Sequence, residues 1–264
     1  MQIQNKFKRV EIKFILNDRQ TEAVKRAFSG KMQADEYGKT RICNVYYDTP
    51  NFRLIRKSIE QPVYKEKLRV RSYGTPKAGD NVFIELKKKY DGVVYKRREM
   101  LPLERAEKLA GGEGKIACDE KDEKLTQVER EIKYFSKFYG SLRPAVYLAY
   151  LREAFFGVAD PNLRITFDTD ILWRDENADL TKGVYGTPVL PRGKTLMEIK
   201  TDKALPLWLA RVLSEEKIYK TSFSKYGEAY KQLVAAGGGA SGVNGINDGI
   251  NNEIKGDKKY ARVV

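Results

Sequence analysis

The sequence predicts an α+β fold built on a closed antiparallel β-barrel with a charged interior, its helices laid against the outside. Three observations lead there. Six or seven segments alternate apolar and polar residues with the period of two of half-buried strands. Their polar positions favour Lys and Arg, with a few carboxylates, over Ser, Thr and Asn. Short turn sequences join several of them as antiparallel neighbours.

Taken in order, Arg9 to Phe14 alternates as a strand, with Arg9, Glu11 and Lys13 opposite Val10, Ile12 and Phe14. Asn17 followed by Gln20 is a capping-box helix start; Ala23, Val24, Ala27 and Phe28 then recur at helical spacing and Gly30 supplies the stop. Arg41 to Tyr47 is a strand ended by Asp48-Thr49-Pro50. Tyr64 to Tyr73, Val82 to Lys89 and Val93 to Met100 form a meander, joined by the turn Gly74 to Asp80 and by Asp91-Gly92. Pro102 to Ala110 reads as a short helix with Pro in its first turn, closed by Gly111-Gly112, and Glu123 to Tyr139 as a longer one. Ala145 to Phe156, Leu163 to Asp168 and Thr195 to Lys200 return to strand; Pro206 to Leu213 and Ser224 to Ala235 are helices. There is no internal repeat. The organisation is therefore one folded domain over 1–236 and a Gly- and Asn-rich tail over 237–264 that reads as disordered.

Composition narrows the function. The 264 residues are enough to bury a sizeable core. Fifty Lys and Arg against 36 Asp and Glu give +14, and the tail's Lys255, Lys258, Lys259 and Arg262 against Asp248, Glu253 and Asp257 leave almost all of it in the folded part. Such a charge attracts polyanions: nucleic acid, an anionic membrane or phosphorylated molecules. There is no histidine, which removes every imidazole base and imidazole metal ligand. Cys43 and Cys118 are too few and too far apart for a zinc cluster or a disulfide scaffold and suggest a reducing compartment. No apolar run approaches the ~20 residues of a membrane span, and Met1 to Arg9 is not followed by a secretory apolar stretch. The expectation is a cytoplasmic protein without its own membrane segment, with peripheral docking to a membrane partner left open.

The charged strand faces carry the functional reading. Lys65, Lys67, Arg69 and Arg71 share one face; so do Glu85, Lys87 and Lys89, then Lys96 and Arg98, then Tyr150 and Arg152, then Arg164, Thr166 and Asp168, then Lys194, Glu198 and Lys200. Like charges opposite one another across strands repel by a fraction of a kcal/mol per pair, ~0.2–1 kcal/mol in scale, so a sheet repeating the pattern asks for a compensating anion. A barrel with the apolar face outward under helices and the charged face lining a channel meets that demand and removes the edge strands. Guanidinium forks suit phosphoryl oxygens, and the few carboxylates suit a divalent cation bridging them.

The ordered set Arg9-x-Glu11-x-Lys13-Phe14, Tyr46-Tyr47-Asp48-Thr49, Lys67-Leu68-Arg69-Val70-Arg71-Ser72-Tyr73-Gly74, Glu85-x-Lys87, Tyr150-x-Arg152-x-Ala154-Phe155, Leu163-Arg164-Ile165-Thr166-Phe167-Asp168, Met197-Glu198-Ile199-Lys200 and Ser222-Phe223-Ser224-Lys225-Tyr226-Gly227 resembles the catalytic domain of the vacuolar transporter chaperone family. That family is the polyphosphate polymerase branch of the CYTH-like triphosphate tunnel metalloenzymes. The resemblance spans roughly residues 7–235. It implies a transferase that moves the γ-phosphoryl group of ATP onto a growing inorganic polyphosphate chain with Mn²⁺ or Mg²⁺. It implies a catalytic set of Arg69, Arg71, Arg152, Arg164 and Glu198, with phosphates also held by Lys13, Lys87, Lys96, Lys200 and Lys225 and the metal on Glu198. One departure is that the wider superfamily has two glutamates before the first-strand lysine, whereas here Arg9 stands at the first position and only Glu11 remains. The sensing domain and membrane helices of the eukaryotic polymerases are not in this sequence.

Two other functions stay open. Water as acceptor in the same barrel makes a tripolyphosphatase or nucleoside triphosphatase. A non-catalytic module would bind polyphosphate alone. Single-stranded nucleic acid is disfavoured because base stacking wants aromatics among the cations, and Phe14, Phe83 and Phe167 read as lying on the apolar face. Glu11, Glu85 and Asp168 are either metal ligands or partners of neighbouring cations.

Overall fold

A computed structural model describes residues 10–111 and 124–238. Arg9, Cys118 and the expected tail beyond Gly238 lie outside the described residues. The chain runs β1 (Val10–Asn17), α1 (Asp18–Arg26), β2 (Met32–Ala34), β3 (Thr40–Asp48), α2 (Arg53–Ile59), β4 (Tyr64–Tyr73), β5 (Asn81–Tyr90), β6 (Val93–Pro102), α3 (Leu103–Gly111), α4 (Gln127–Tyr139), β7 (Arg143–Gly157), β8 (Arg164–Arg174), β9 (Thr187–Pro188), β10 (Lys194–Thr201), α5 (Leu207–Glu215), β11 (Lys220–Thr221) and α6 (Lys225–Ala235). Among these residues no helix is long and apolar enough to cross a membrane.

The strands form one antiparallel sheet in the order β11-β1-β10-β8-β7-β3-β4-β5-β6, with β2 added to β7 and β9 to β8. The expected closed barrel is not found: among the described residues no ladder joins β6 to β11. β6 presents Lys96, Arg97 and Arg98 at the open end, and cations on an edge strand oppose further pairing. The sheet nevertheless curls. Lys87 on β5 acts electrostatically on Glu11 of β1 and on Lys200 of β10, although five strands separate β1 from β5 along the ladder. Register shifts at Tyr46/Tyr47 and at Ala149/Leu151 mark where the long strands bend.

Helices cover both faces, which corrects the expectation that all lie outside. On the convex face, α3 and α4 bury Leu68, Val70, Val82, Ile84 and Leu86 under Ala106, Leu109, Ile132 and Phe135. There too, α1 and α5 cover Phe14, Leu16, Ile165, Phe167, Met197 and Ile199. On the charged face, Ile55 of α2, Tyr226 and Leu233 of α6, and Phe223 just ahead of α6 pack against Tyr46, Leu148, Tyr150 and Leu196. One part of the concavity is therefore filled by apolar side chains, and the charged residues line the rest.

Local chemistry explains the ends. Asn17 and Gln20 exchange the two bonds of a capping box at 2.9 and 3.1 Å, and Thr126 with Glu129 does the same for α4; Glu123, the expected start of that helix, lies outside the described residues. Pro102 ends β6, and its helix begins one residue later. α2 was not legible because its N-cap residue, Phe52, offers no side-chain oxygen; Asp48 serves instead, accepting from Leu54 N at 2.8 Å and Ile55 N at 3.0 Å. β8 runs on past Asp168 to Arg174, and its continuation was hidden because the backbone at Asp170, at φ 49°, opposite the register shift at Ala149/Leu151, interrupts the alternation.

Candidate active site

The concave face holds two ionic clusters joined through a tyrosine. The first centres on Glu85, which is 1% exposed and register-paired with Arg69 on β4 and Arg98 on β6. Arg69 donates from Nε at 2.6 Å to its carboxylate and from a terminal nitrogen at 3.0 Å to the Tyr46 hydroxyl. Lys96 Nζ lies 2.8 Å from Glu85, Arg98 Nε 3.5 Å and Arg71 3.9 Å. Burial alone would raise the Glu85 pKa; Arg69, Arg71 and Lys96 outweigh it and hold the carboxyl well below its usual range. Arg71 donates to Asn44 Oδ1 at 2.9 Å and to the Tyr150 hydroxyl at 3.3 Å.

The second cluster centres on Asp168 and Glu198. Arg152 makes a fork with Asp168 at 2.6 and 2.7 Å. Lys225, the first residue of α6, lies 2.5 Å from Asp168 and 3.0 Å from Glu198. Lys13 and Lys200 stand 3.8 and 3.9 Å from Glu198, and 3.2 and 3.8 Å from Glu11. Burial would raise the Glu198 pKa, but Lys225, Lys13, Arg152 and Lys200 pull it well below the ordinary value. Asp168 is likewise lowered, its burial outweighed by Lys225 and Arg152. These cations are thus pre-positioned by buried anions rather than swinging in water. Tyr150 sits between the clusters, its hydroxyl on Arg71 and its ring 4.7 Å from Lys225 and 5.1 Å from the Arg152 guanidinium.

Of the expected site residues, Arg69, Arg71 and Lys96 meet in the first cluster, and Arg152, Lys13, Lys200, Lys225 and Glu198 in the second. Lys87 lies between the sheet's two ends. Arg164 stands apart, 3.8 Å from Asp35 with its guanidinium 4.8 Å from the Phe156 ring. Glu85 and Asp168 partner cations, the second of the two roles left open for them. Asn44, Tyr46, Tyr150 and Ser224 were missed as site residues; Asn44 had a readable signal, an amide at a charged-face position of a strand otherwise rich in apolar residues. Phe83 is a correction: it pairs in register with Arg71 and lies on the charged face, because 83, 85 and 87 share parity. The Arg98 guanidinium covers its ring at 3.5 Å, so it offers no open stacking platform.

A divalent cation would draw on Glu198 and Glu11. Lys13 and Lys200 now bridge these two carboxylates, the position a metal could share. Among the described residues no three His, Cys, Asp or Glu group together to hold an ion. The donor set therefore fits an ion that takes most of its oxygens from a phosphate ligand, as Mg²⁺ commonly does, and does not fit a protein-only metal cage.

A family model described as the VTC domain matches residues 8–234. No curated protein matches the chain. A solved structure from Hippeastrum, described as an adenylyl cyclase candidate with a dominant triphosphatase activity, superposes with a TM-score of 0.50 at 16% identity, covering 87% of this chain and 96% of its own. One from Vibrio parahaemolyticus, described as an adenylate cyclase candidate, covers 86% and 97% at 13% identity with a TM-score of 0.40. The Hippeastrum likeness is one of fold.

Proposed function

The chain belongs to the VTC domain family, and from that premise we propose that it is a metal-dependent polyphosphate polymerase. It transfers the γ-phosphoryl group of ATP to the end of an inorganic polyphosphate chain held along the concave face. A terminal chain oxygen forms the new P–O bond, the β–γ bridge breaks, and ADP leaves. The observation that carries the reading is the surplus of fixed positive charge: among the described residues Lys13, Arg69, Arg71, Lys96, Arg98, Arg152, Lys200 and Lys225 surround only Glu11, Glu85, Asp168 and Glu198.

Phosphoryl transfer asks the protein mainly to position reactants and neutralise charge. Arg71 uses Nε and one terminal nitrogen on Asn44 and Tyr150, which leaves further donors of its five N–H groups for phosphoryl oxygens. Arg152 and Lys225, locked by Asp168, hold their charge without reorganising as negative charge develops. The attacking chain oxygen is already ionised, so the absence of histidine costs the reaction no base. Mn²⁺ or Mg²⁺ bound by Glu198 and Glu11 would supply Lewis-acid neutralisation of the nucleotide's oxygens. Lys87 binds the chain beside the two clusters; Arg164 is placed to meet ligand only at the margin of the face.

The test is incubation with ATP and Mn²⁺. Long phosphate chains with ADP support polymerisation; orthophosphate without chains assigns the site to hydrolysis; binding without turnover assigns it to a polyphosphate-binding module. Arg71→Ala and Glu198→Ala should each slow turnover on the order of 10²-fold, the scale of losing one transition-state donor. Unchanged turnover in both overturns the site assignment.

A further inference from the structure

Away from the ionic clusters, the β5–β6 hairpin ends in an exposed apolar tip. Asp91 and Gly92, at φ 42° and 79°, make the two-residue turn that hairpin twist favours, and Tyr90 pairs with Val93 across it. β4 begins at the same level. Tyr64 pairs with Tyr90, their rings 6.4 Å apart, and Asp91 N donates to the Val63 carbonyl at 3.0 Å. Val63, Tyr64, Tyr90, Val93 and Val94 thus form a knob three chains wide, each of them 37–64% exposed. The knob is braced from behind. Glu66, two residues along β4 and itself buried, accepts from the Tyr64 hydroxyl and, at 2.8 Å, from the Tyr139 hydroxyl at the end of α4. A collar of lysines stands at its base. Lys88 shares the face of Tyr90, and Lys89 lies opposite both Lys65 and Val94. With Lys57 in the last turn of α2, these lysines outnumber the exposed acids of the same segments, Glu60 and Asp91.

We propose that this knob enters the headgroup region of an anionic lipid bilayer, its valines and tyrosine rings immersed and Lys88 and Lys89 set against the lipid phosphates. Exposed apolar side chains grouped on one tip mark an interaction site, and the lysines around them indicate which kind. The core of a protein–protein interface is depleted in lysine. A bilayer surface accepts the combination. Tyrosine rings settle at the headgroup level, lysine stems lie along apolar surface while the ammonium groups stay in water, and each lysine close to an anionic leaflet adds several-fold in affinity. Shallow entry also keeps the turn's backbone groups where water still reaches them, as they must be outside a helix or a closed barrel. The five apolar residues take no part in either ionic cluster, so the docking surface stands or falls separately from the polymerase reading.

The test is flotation of the full chain, in EDTA and without nucleotide, with vesicles of phosphatidylcholine alone or with about one-third phosphatidylserine. The wild type is compared with Val93→Ser/Val94→Ser, with Lys88→Gln/Lys89→Gln, and with Met100→Ser, which removes an exposed apolar side chain from the far end of β6. The wild type and Met100→Ser should float with the anionic vesicles and far less with the neutral ones. The serine pair should bind at least about 10-fold more weakly. The glutamine pair should lose on the order of 10-fold at low salt, the gap closing as salt rises. ATP turnover without vesicles should be the same in the serine pair as in the wild type, and its absence from both would overturn the polymerase reading while leaving the lipid contact standing. Equal flotation of the wild type and the serine pair assigns vesicle binding to the basic concave face and overturns the proposal. An equal loss in Met100→Ser overturns the assignment to the tip. A wild type that floats with neither vesicle, or one that is a dimer in sedimentation velocity and becomes a monomer in the serine pair, overturns the lipid contact.

Discussion

Glu85→Gln removes one negative charge from the most crowded point of the face and keeps the side chain's shape. Glu85 is 1% exposed and has Arg69, Lys96, Arg98 and Arg71 within 2.5–3.9 Å. Leaving the enclosed Arg69 and Arg71 without their carboxylate costs about 3–5 kcal/mol, the more exposed Lys96 and Arg98 adding little, and a domain of this size loses about 2–4 °C of Tm per kcal/mol. The variant should therefore melt roughly 10 °C below the wild type, or further, in calorimetry at neutral pH and low salt. The same cations become better anion receptors. Tripolyphosphate at 100 times its Kd raises stability by about 2.7 kcal/mol, and at one fixed concentration it should raise the variant's Tm by more degrees than the wild type's. A variant that melts within a few degrees of the wild type, or gains no more from tripolyphosphate, refutes the idea that Glu85 stands in for a phosphate among these four cations.

Arg152→Lys forfeits the two-point fork to Asp168 and should lower turnover about 10²-fold in the ATP assay, with Lys225 and Glu198 intact. Asp168 and Glu198 are both held below their reference values of 3.8 and 4.5. Their stabilisation is therefore complete above those values and lost as pH falls through the lowered folded ones, so Asp168→Asn should flatten the Tm-against-pH profile below pH ~4. Asp48→Asn replaces an acceptor with a donor opposite Leu54 N, Ile55 N or the Tyr226 hydroxyl, and should cost about 1–3 kcal/mol in urea unfolding.

The sequence was most informative where chemistry is local. Alternation placed the meander strands to within a residue or two of Tyr64–Tyr73, Asn81–Tyr90 and Val93–Pro102, because β4 and β5 bury one face against α3 and α4 and must keep period, and the Asp91-Gly92 turn fixes where β6 begins. Capping oxygens placed α1 and α6 for the same reason. Closure was not local. Nothing in β6 or β11 states whether their edges meet, and the alternation argument is satisfied by any curled sheet that hides one face. β11, with two residues, is too short to show a pattern. The position of α2 was also hidden, since its cap comes from Asp48, several residues upstream and across a turn.

The site follows the same division. Parity alone groups Arg69 with Arg71, Glu85 with Lys87 and Glu198 with Lys200, and in the structure those groups line one concavity. Parity does not say which cation an anion holds. Arg69 and Arg71 differ by two residues, yet one leans on Glu85 and the other on Asn44 and Tyr150; Lys67, two residues further back, holds only a serine hydroxyl. That pairing depends on which strand curls over which, and on α6 entering the concavity to bring Lys225 against Asp168 and Glu198. The strands therefore supply a uniform store of positive charge, and the curvature together with α6 divides it into cations already neutralised and held rigid and cations left waiting. The first kind suits a transition state, where fixed dipoles and charges act without reorganising. The second, lysines without a carboxylate partner among the described residues, suits a polyanion whose successive charges each meet a similar cation.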